Sequence, residues 1–174
     1  LVSPKAEMGQ GVHTTWAALI AEELDVDWND ITVIHGPPAK AYYNSALFGM
    51  ALPFKDYKVN DLQQAMREFA GNGAKLLSLQ MTGGSTSMRD GFERMRIAGA
   101  TAREVLKRAA GKRLGVGPDT LETRDGHVIA SDGQALSYQT LAAEAAEISP
   151  PNVRLRDPST WRFLGKSLPR VDME

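Results

Sequence analysis

Apolar positions return at helical spacing along several stretches of the chain. Trp16, Leu19, Ile20 and Leu24 make one face of a helix predicted over 14–24, with Glu22 and Glu23 off that stripe and Thr14 or His13 as its N-cap. Leu62, Ala65, Met66 and Phe69 form the apolar face of a shorter helix over 62–69, stopped by Gly71-Asn72-Gly73. The longest helix is predicted over 87–110. Its buried stripe is Phe92, Met95, Ala98, Ala102, Val105, Leu106 and Ala109. Arg94, Arg96, Arg103, Glu104, Lys107 and Arg108 fall on other faces, and Gly111 is the C-cap. Ser137 caps a last helix that ends at Ala146.

Strand signals are shorter. The β-branched run Ile31-Thr32-Val33-Ile34-His35 ends at Gly36-Pro37-Pro38, and Pro4 makes 1–7 an irregular edge strand. Segments 121–123 and 127–130 read as a hairpin turned by Arg124-Asp125-Gly126. Segment 74–81 fits either a strand or a helical turn, and 36–57 reads as a long loop rich in Pro, Gly and aromatics. No repeat occurs at a fixed period. These elements predict an α+β fold, a small mixed β-sheet packed with helices. Residues 1–150 form the domain, and 151–174, Pro-containing, basic and without periodicity, form a linker or arm toward a neighbouring domain.

Composition narrows the function classes. The chain has 174 residues, 43% of them hydrophobic, which suffices for a packed core. A net charge of −1 with scattered basic residues leaves no basic stripe, so no nucleic-acid partner is expected. The absence of cysteine removes disulfides, iron–sulfur ligation and thiolate chemistry. No apolar run approaches the roughly 20 residues that span a bilayer, and a soluble piece is expected. The first residue is Leu1, without a charged and apolar leader behind it, so both ends read as cuts through a longer protein.

Two glycine-containing turns carry the candidate chemistry. Met8-Gly9-Gln10-Gly11 and Gly83-Gly84-Ser85-Thr86-Ser87 each open onto a predicted helix. A helix start presents unpaired amides and partial positive charge, and glycine lets an anion approach the main chain. Gln10 adds an amide that donates and accepts, and the second turn adds three hydroxyls. Such groups suit a flat, phosphate-bearing heterocycle; simple structural turns explain the same glycines. Neither GxGxxG nor GxxxxGK[ST] is present, which weakens an ordinary nucleotide-binding reading.

The ordered motifs sharpen this choice. Glu7-Met8-Gly9-Gln10-Gly11-Val12-His13-Thr14 resembles the EMGQG-x-HT loop of the xanthine dehydrogenase and aldehyde oxidase family, and Gly83-Gly84-Ser85-Thr86-Ser87-Met88-Arg89 resembles its serine-bearing turn. The running order from Lys5 and EMGQG through Ile20-Ala21-Glu22-Glu23-Leu24, Thr82 to Arg89, Ala98 to Arg103 and Phe163 to Asp172 is similar to one branch of that family. That branch contains the beta subunit of isoquinoline 1-oxidoreductase and the membrane-bound aldehyde dehydrogenases.

The resemblance implies a partial molybdopterin-binding domain over 1–150, holding molybdopterin cytosine dinucleotide together with domains outside this chain. It assigns Met8, Gly9, Gln10 and Gly11 to the pterin and dithiolene part, with Gln10 hydrogen-bonding the pterin. Gly84, Ser85, Thr86 and Ser87 fall to the pterin and phosphates. It implies oxidation of an N-heterocycle or aldehyde at molybdenum, with the remaining domains of the large subunit, a small iron–sulfur subunit and a cytochrome c subunit as candidate partners. The parent protein is expected in the periplasm or at a membrane, with the cytoplasm as the alternative. No segment resembles the family's glutamate-base loop, so no catalytic residue is assigned and the isolated chain is expected to be inactive. A binding or assembly module that kept the fold without cofactor is the rival reading.

Other residues are assigned plainer roles. Glu7 is read as a support or strand-end residue beside the first turn, His13 and His35 as caps or core hydrogen-bonders, and His127 as solvent-facing. No metal-ligand spacing occurs. Arg89, a cation at a helix start, is either a phosphate or interface partner or simply exposed. Tyr42, Tyr43 and Phe48 are assigned to loop packing.

Overall fold

A computed structural model describes residues 1–54 and 58–173. The far end of the expected loop 36–57 therefore lies outside the described residues, as does Glu174. The chain forms two compact units, one comprising Leu1, 14–32 and 93–174, the other 2–13 and 33–92. The α+β class holds, but the single mixed sheet resolves into two small sheets, one parallel and one antiparallel. Segment 151–173 belongs to the first unit, for a reason that lies in two buried glutamates.

In the first unit, the body of α1 (Val12–Leu24) and most of α4 (Thr86–Leu114) supply the long elements. Three strands follow in order, β3 (Glu122–Arg124), β4 (His127–Ile129) and β5 (Ala135–Ser137), all antiparallel. The first hairpin pairs Arg124 with His127, leaving Asp125 and Gly126 as the two-residue turn, both at positive φ (45° and 75°). That is the geometry an Asp-Gly turn favours, because both central residues must enter the left-handed region. Helix α5 (Tyr138–Ala146) starts at Ser137, whose hydroxyl accepts from the Thr140 amide. Leu106, Ala109, Ala110, Leu121, Val128, Leu141 and Ala145 close the core between these elements.

Helix α4 departs from the expected stripe. Phe92 and Ala98 are exposed, whereas Gly99, Ala100, Arg96 and Arg103 are buried. A Cβ on Gly99 would stand 2.7 Å from the Ile20 carbonyl oxygen and 3.0 Å from the Glu23 Cβ, so the small residue permits α1 to lie close. The helix also runs past Gly111 to Leu114, and Gly115 at φ 72° ends it. Gly111 serves packing instead: its Cβ would meet the Val116 carbonyl at 2.7 Å.

Glu22 and Glu23, expected off the apolar stripe, are buried. Glu23 accepts from Arg96 Nε at 2.8 Å and from the Arg156 amide at 3.0 Å, with Arg103 Nη1 at 3.5 Å. Glu22 accepts from three consecutive amides, those of Arg162, Phe163 and Leu164, at 2.7, 2.7 and 3.2 Å. A buried carboxylate is tolerated only when paired and hydrogen-bonded. The tail supplies amides to both glutamates while α4 supplies the arginines that face Glu23, and these amide bonds hold the tail on this unit.

The second unit begins with β1 (Val2–Ser3), parallel to β2 (Ile34–His35), a shorter pairing than the β-branched run suggested. Two helices stand where sequence indicated a loop and one short helix. The first, α2 (Ala46–Ala51), occupies an apolar stretch of the expected loop. The second, α3 (Asp61–Leu76), is twice the expected length, with a full capping box between Asn60 and Gln63. Gly71-Asn72-Gly73 does not stop it, because Gly71 is a packing residue: its Cβ would lie 3.1 Å from Ser45. The face buried here is Gly71 and Ala74, while the expected apolar face, Leu62, Ala65, Met66 and Phe69, is exposed.

Candidate functional site

Both glycine turns belong to the second unit. The first is built around Glu7. Its Oε1 accepts from the amides of Gly9 and Gly11, each at 2.9 Å, and its Oε2 accepts from the His13 amide at 3.0 Å. These are donors that a helix start otherwise leaves unpaired. The anion nearest the start of α1 is thus the chain's own carboxylate, which already pairs these three amides within the turn. The sequence pattern leaves Glu7 as either a support for the turn or a strand-end residue, and the structure gives it the supporting role. The signal available was an acid followed by glycines two and four residues on, a spacing that lets the carboxylate curl back over its own turn.

Gln10 ties the same turn shut. Its Oε1 accepts from the Met8 amide at 2.6 Å and its Nε2 donates to the Ala6 carbonyl at 2.7 Å. Gly9 and Gly11 adopt φ 97° and 79°, where a Cβ is strained, and both face open space. The result is a stiffened loop whose outer edge is presented to solvent: Met8, Gly9 and Gln10 are all exposed. An amide retains a second lone pair and a second hydrogen after such bonds, so Gln10 keeps capacity for a guest.

The second turn divides its hydroxyls between inside and outside. Gly84 and Ser85 stand at φ 57° and 58° and are exposed. Thr86 is fully buried; its hydroxyl donates to the Gly83 carbonyl at 2.6 Å and accepts from Asn44 Nδ2 at 2.9 Å. Ser87 is buried as well. Of the three hydroxyls expected to meet a ligand, Ser85 alone is exposed, and Thr86 acts as an internal strut. Asn44, which also donates to the Met81 carbonyl at 2.9 Å, is a residue that sequence reasoning missed.

The stems of the two turns are joined. The Ala6 amide donates to Thr82 Oγ1 at 3.0 Å. Beneath it, Lys5 Nζ lies 3.5 Å from Asp90 Oδ2, both side chains almost wholly buried. Asp90 Oδ1 accepts from the Ser45 amide and hydroxyl at 2.9 and 2.7 Å. Buried His13 donates from Nε2 to the Lys5 carbonyl at 2.9 Å and stacks on His35, a core role. An open cavity of about 380 Å³, lined by Ser45, Met50, Arg67, Glu68 and Arg89 among others, adjoins the second turn, and the Met50 methyl comes within 3.7 Å of a Cβ built on Gly84. Tyr42, Tyr43 and Phe48 do not line it. Among the described residues no group of three His, Asp or Glu side chains could hold a metal ion, and no helix is long and apolar enough to cross a membrane.

No protein-family model matches the chain. It is similar to the beta subunit of isoquinoline 1-oxidoreductase of Brevundimonas diminuta, at 27% identity over 99% of this chain. It is also similar to a subunit of the nicotinate dehydrogenase of Pseudomonas putida, at 27% identity over 96%. Both relatives are oxidoreductase subunits. The chain spans 23% of the length of the first and 11% of the second.

Proposed function

We propose that this chain is part of the molybdopterin-binding large subunit of a molybdenum-dependent oxidoreductase, acting on an N-heterocycle or aldehyde. Its two glycine turns supply part of the cradle for molybdopterin cytosine dinucleotide. The observation that carries this reading is the joining of the two stems, which gathers the exposed edge of Met8, Gly9 and Gln10 and the exposed Gly84 and Ser85 into one unit. The residues fit such a group in a particular way. Gln10 and the backbone of Gly9 and Gly11 offer a flat edge for the pterin, and Gly84 and Ser85 offer an open main chain and a hydroxyl for a phosphate. Thr86 and Ser87 support the turn from within.

When bound, the cofactor supplies the two-electron oxidation. This chain binds and orients, and it is inactive alone because the base and the rest of the cradle belong to other domains. The partners in this reading are those domains, a small iron–sulfur subunit and a cytochrome c subunit, in a periplasmic or membrane-associated enzyme. The test is extraction of the full-length protein. Molybdenum and molybdopterin cytosine dinucleotide are expected, with both reduced in Gln10→Ala and Ser85→Ala; unchanged content in both variants overturns the residue assignments.

A second reading is favoured by one observation. Glu7 already neutralises three amides of the first turn, as a module that keeps its fold without a cofactor would require. The same extraction separates the two, since such a module yields neither pterin nor metal.

A further inference from the structure

We propose that Lys5 and Asp90 are positioning residues whose buried ion pair couples the two glycine turns, so that each is ordered only when the other is in register. The inference rests on the cradle reading above for its functional consequence, but its structural part stands on geometry alone. Lys5 is three residues before Met8, and Asp90 is three residues after Ser87. Their charged ends lie 3.5 Å apart with the side chains 2% and 3% exposed.

Burying two charges costs more solvation than the pair recovers unless further hydrogen bonds complete it, and apolar residues of similar volume often match such a pair in stability. Even with the Ser45 hydrogen bonds that complete Asp90, the pair gains little over an apolar contact in stability alone. It does what an apolar contact cannot: it allows one register between the segments. Asp90 is fixed from the other side by the Ser45 amide and hydroxyl, and Lys5 by the bond from His13 Nε2 to its carbonyl. The ion pair is the step that joins these two fixed points, 85 residues apart in sequence. The Ala6–Thr82 hydrogen bond above it is a single directional contact that follows once the register is set. Partners standing behind ligand-holding groups commonly govern affinity by roughly 10–100-fold without touching the ligand.

The experiment uses Lys5→Met/Asp90→Leu, which removes both charges at once, with Lys5→Arg as the conservative control. Amide hydrogen exchange is followed in the full-length protein, and pterin and molybdenum content is measured in parallel. In the double variant, exchange over 6–13 and 82–88 is expected to rise about tenfold or more, while β3, β4 and α5 keep their protection. Retained cofactor is expected to fall by a similar factor, and Lys5→Arg is expected to preserve both. Unchanged exchange at the two turns overturns the coupling. So does a rise spread evenly over β3, β4 and α5, which marks a purely structural pair. Exchange that rises as expected while cofactor content stays at the wild-type level overturns the positioning role. A wild-type protein without pterin overturns the cradle reading itself, and the exchange arm still decides whether the turns are coupled.

Discussion

Replacing Glu23 with alanine tests the claim that buried carboxylates organise the first unit. The Glu23 side chain is fully buried, its Oε1 lies 2.7 Å from Arg96 Nη2, and its other oxygen accepts from the Arg156 amide. The two arginines that face it are each about 10% exposed at the side chain. Alanine would remove the Glu23 carboxylate from beside both guanidinium groups, leaving Arg103 its contact with Glu104 at 3.1 Å, and would strip the tail amide of its acceptor. Breaking a buried pair from one side typically costs about 3–5 kcal/mol. For a chain of this size each kcal/mol moves the midpoint by about 2–4 °C, so a fall in Tm of roughly 6–20 °C is expected. Glu23→Gln keeps the shape and one acceptor, and its loss is expected to be smaller. Thermal and urea unfolding followed by circular dichroism measures both. An alanine variant that loses less than about 1 kcal/mol, the scale of a solvent-screened surface pair, refutes the reasoning.

Three further outcomes are expected. Glu22→Ala removes the acceptor for the amides of Arg162, Phe163 and Leu164, so limited proteolysis should cut within 152–165 faster than in wild type; an unchanged rate places the tail's hold elsewhere. Gly99→Val puts a side chain where only 2.7 Å separates Cβ from the Ile20 carbonyl, with a cost of about 1–3 kcal/mol by unfolding; a neutral result means the α1–α4 contact yields easily. Burial, with Asp25 adding to it, pushes the Tyr138 phenol well above its ordinary value. The folded state thus holds that proton after the unfolded chain has released it, so this contribution to stability is complete below about pH 10 and declines as pH rises further. A Tyr138→Phe variant should show a shallower alkaline decline, and identical profiles would remove Tyr138 as the cause.

What the sequence made legible was local. The Asp125-Gly126 turn, the Ser137 cap and the start of the long helix each depend on neighbours a few residues away. The features it concealed depend on partners far along the chain. Gly71 looked like a helix stop because glycine usually is one, yet it is glycine because Ser45 presses on it. Glu22 and Glu23 looked solvated because their partners lie on α4, more than 70 residues on, and in a tail more than 130 residues on. One clue did exist: Arg96 and Arg103 are seven residues apart, on one face of α4, and the tail carries Arg154, Arg156 and Arg162. A face with two arginines opposite a helix with two adjacent glutamates is a pairing that charge patterning can suggest.

The candidate site shows the same division. The glycine turns were found from local grammar, but which of their groups face outward was fixed by distant residues. Asn44 pulls Thr86 inward, and Glu7 uses the amides that an incoming phosphate would need. An internal carboxylate on those amides makes the first turn rigid and locally anionic, a poor seat for a phosphate, whereas the proposed reading has Gln10 meet a neutral ring there. Ser85 of the second turn is exposed, and both Arg89 and Glu68 line the cavity that adjoins it. Under the proposed cradle reading, this difference is what would place the ring at the first turn and the phosphate at the second. Glu7→Gln separates these roles: it should leave the second turn's exchange protection intact while loosening residues 8–13, with a stability loss of about 1–3 kcal/mol from weakened amide bonds. Loosening of both turns together would show that Glu7, and not the segment below it, sets their geometry.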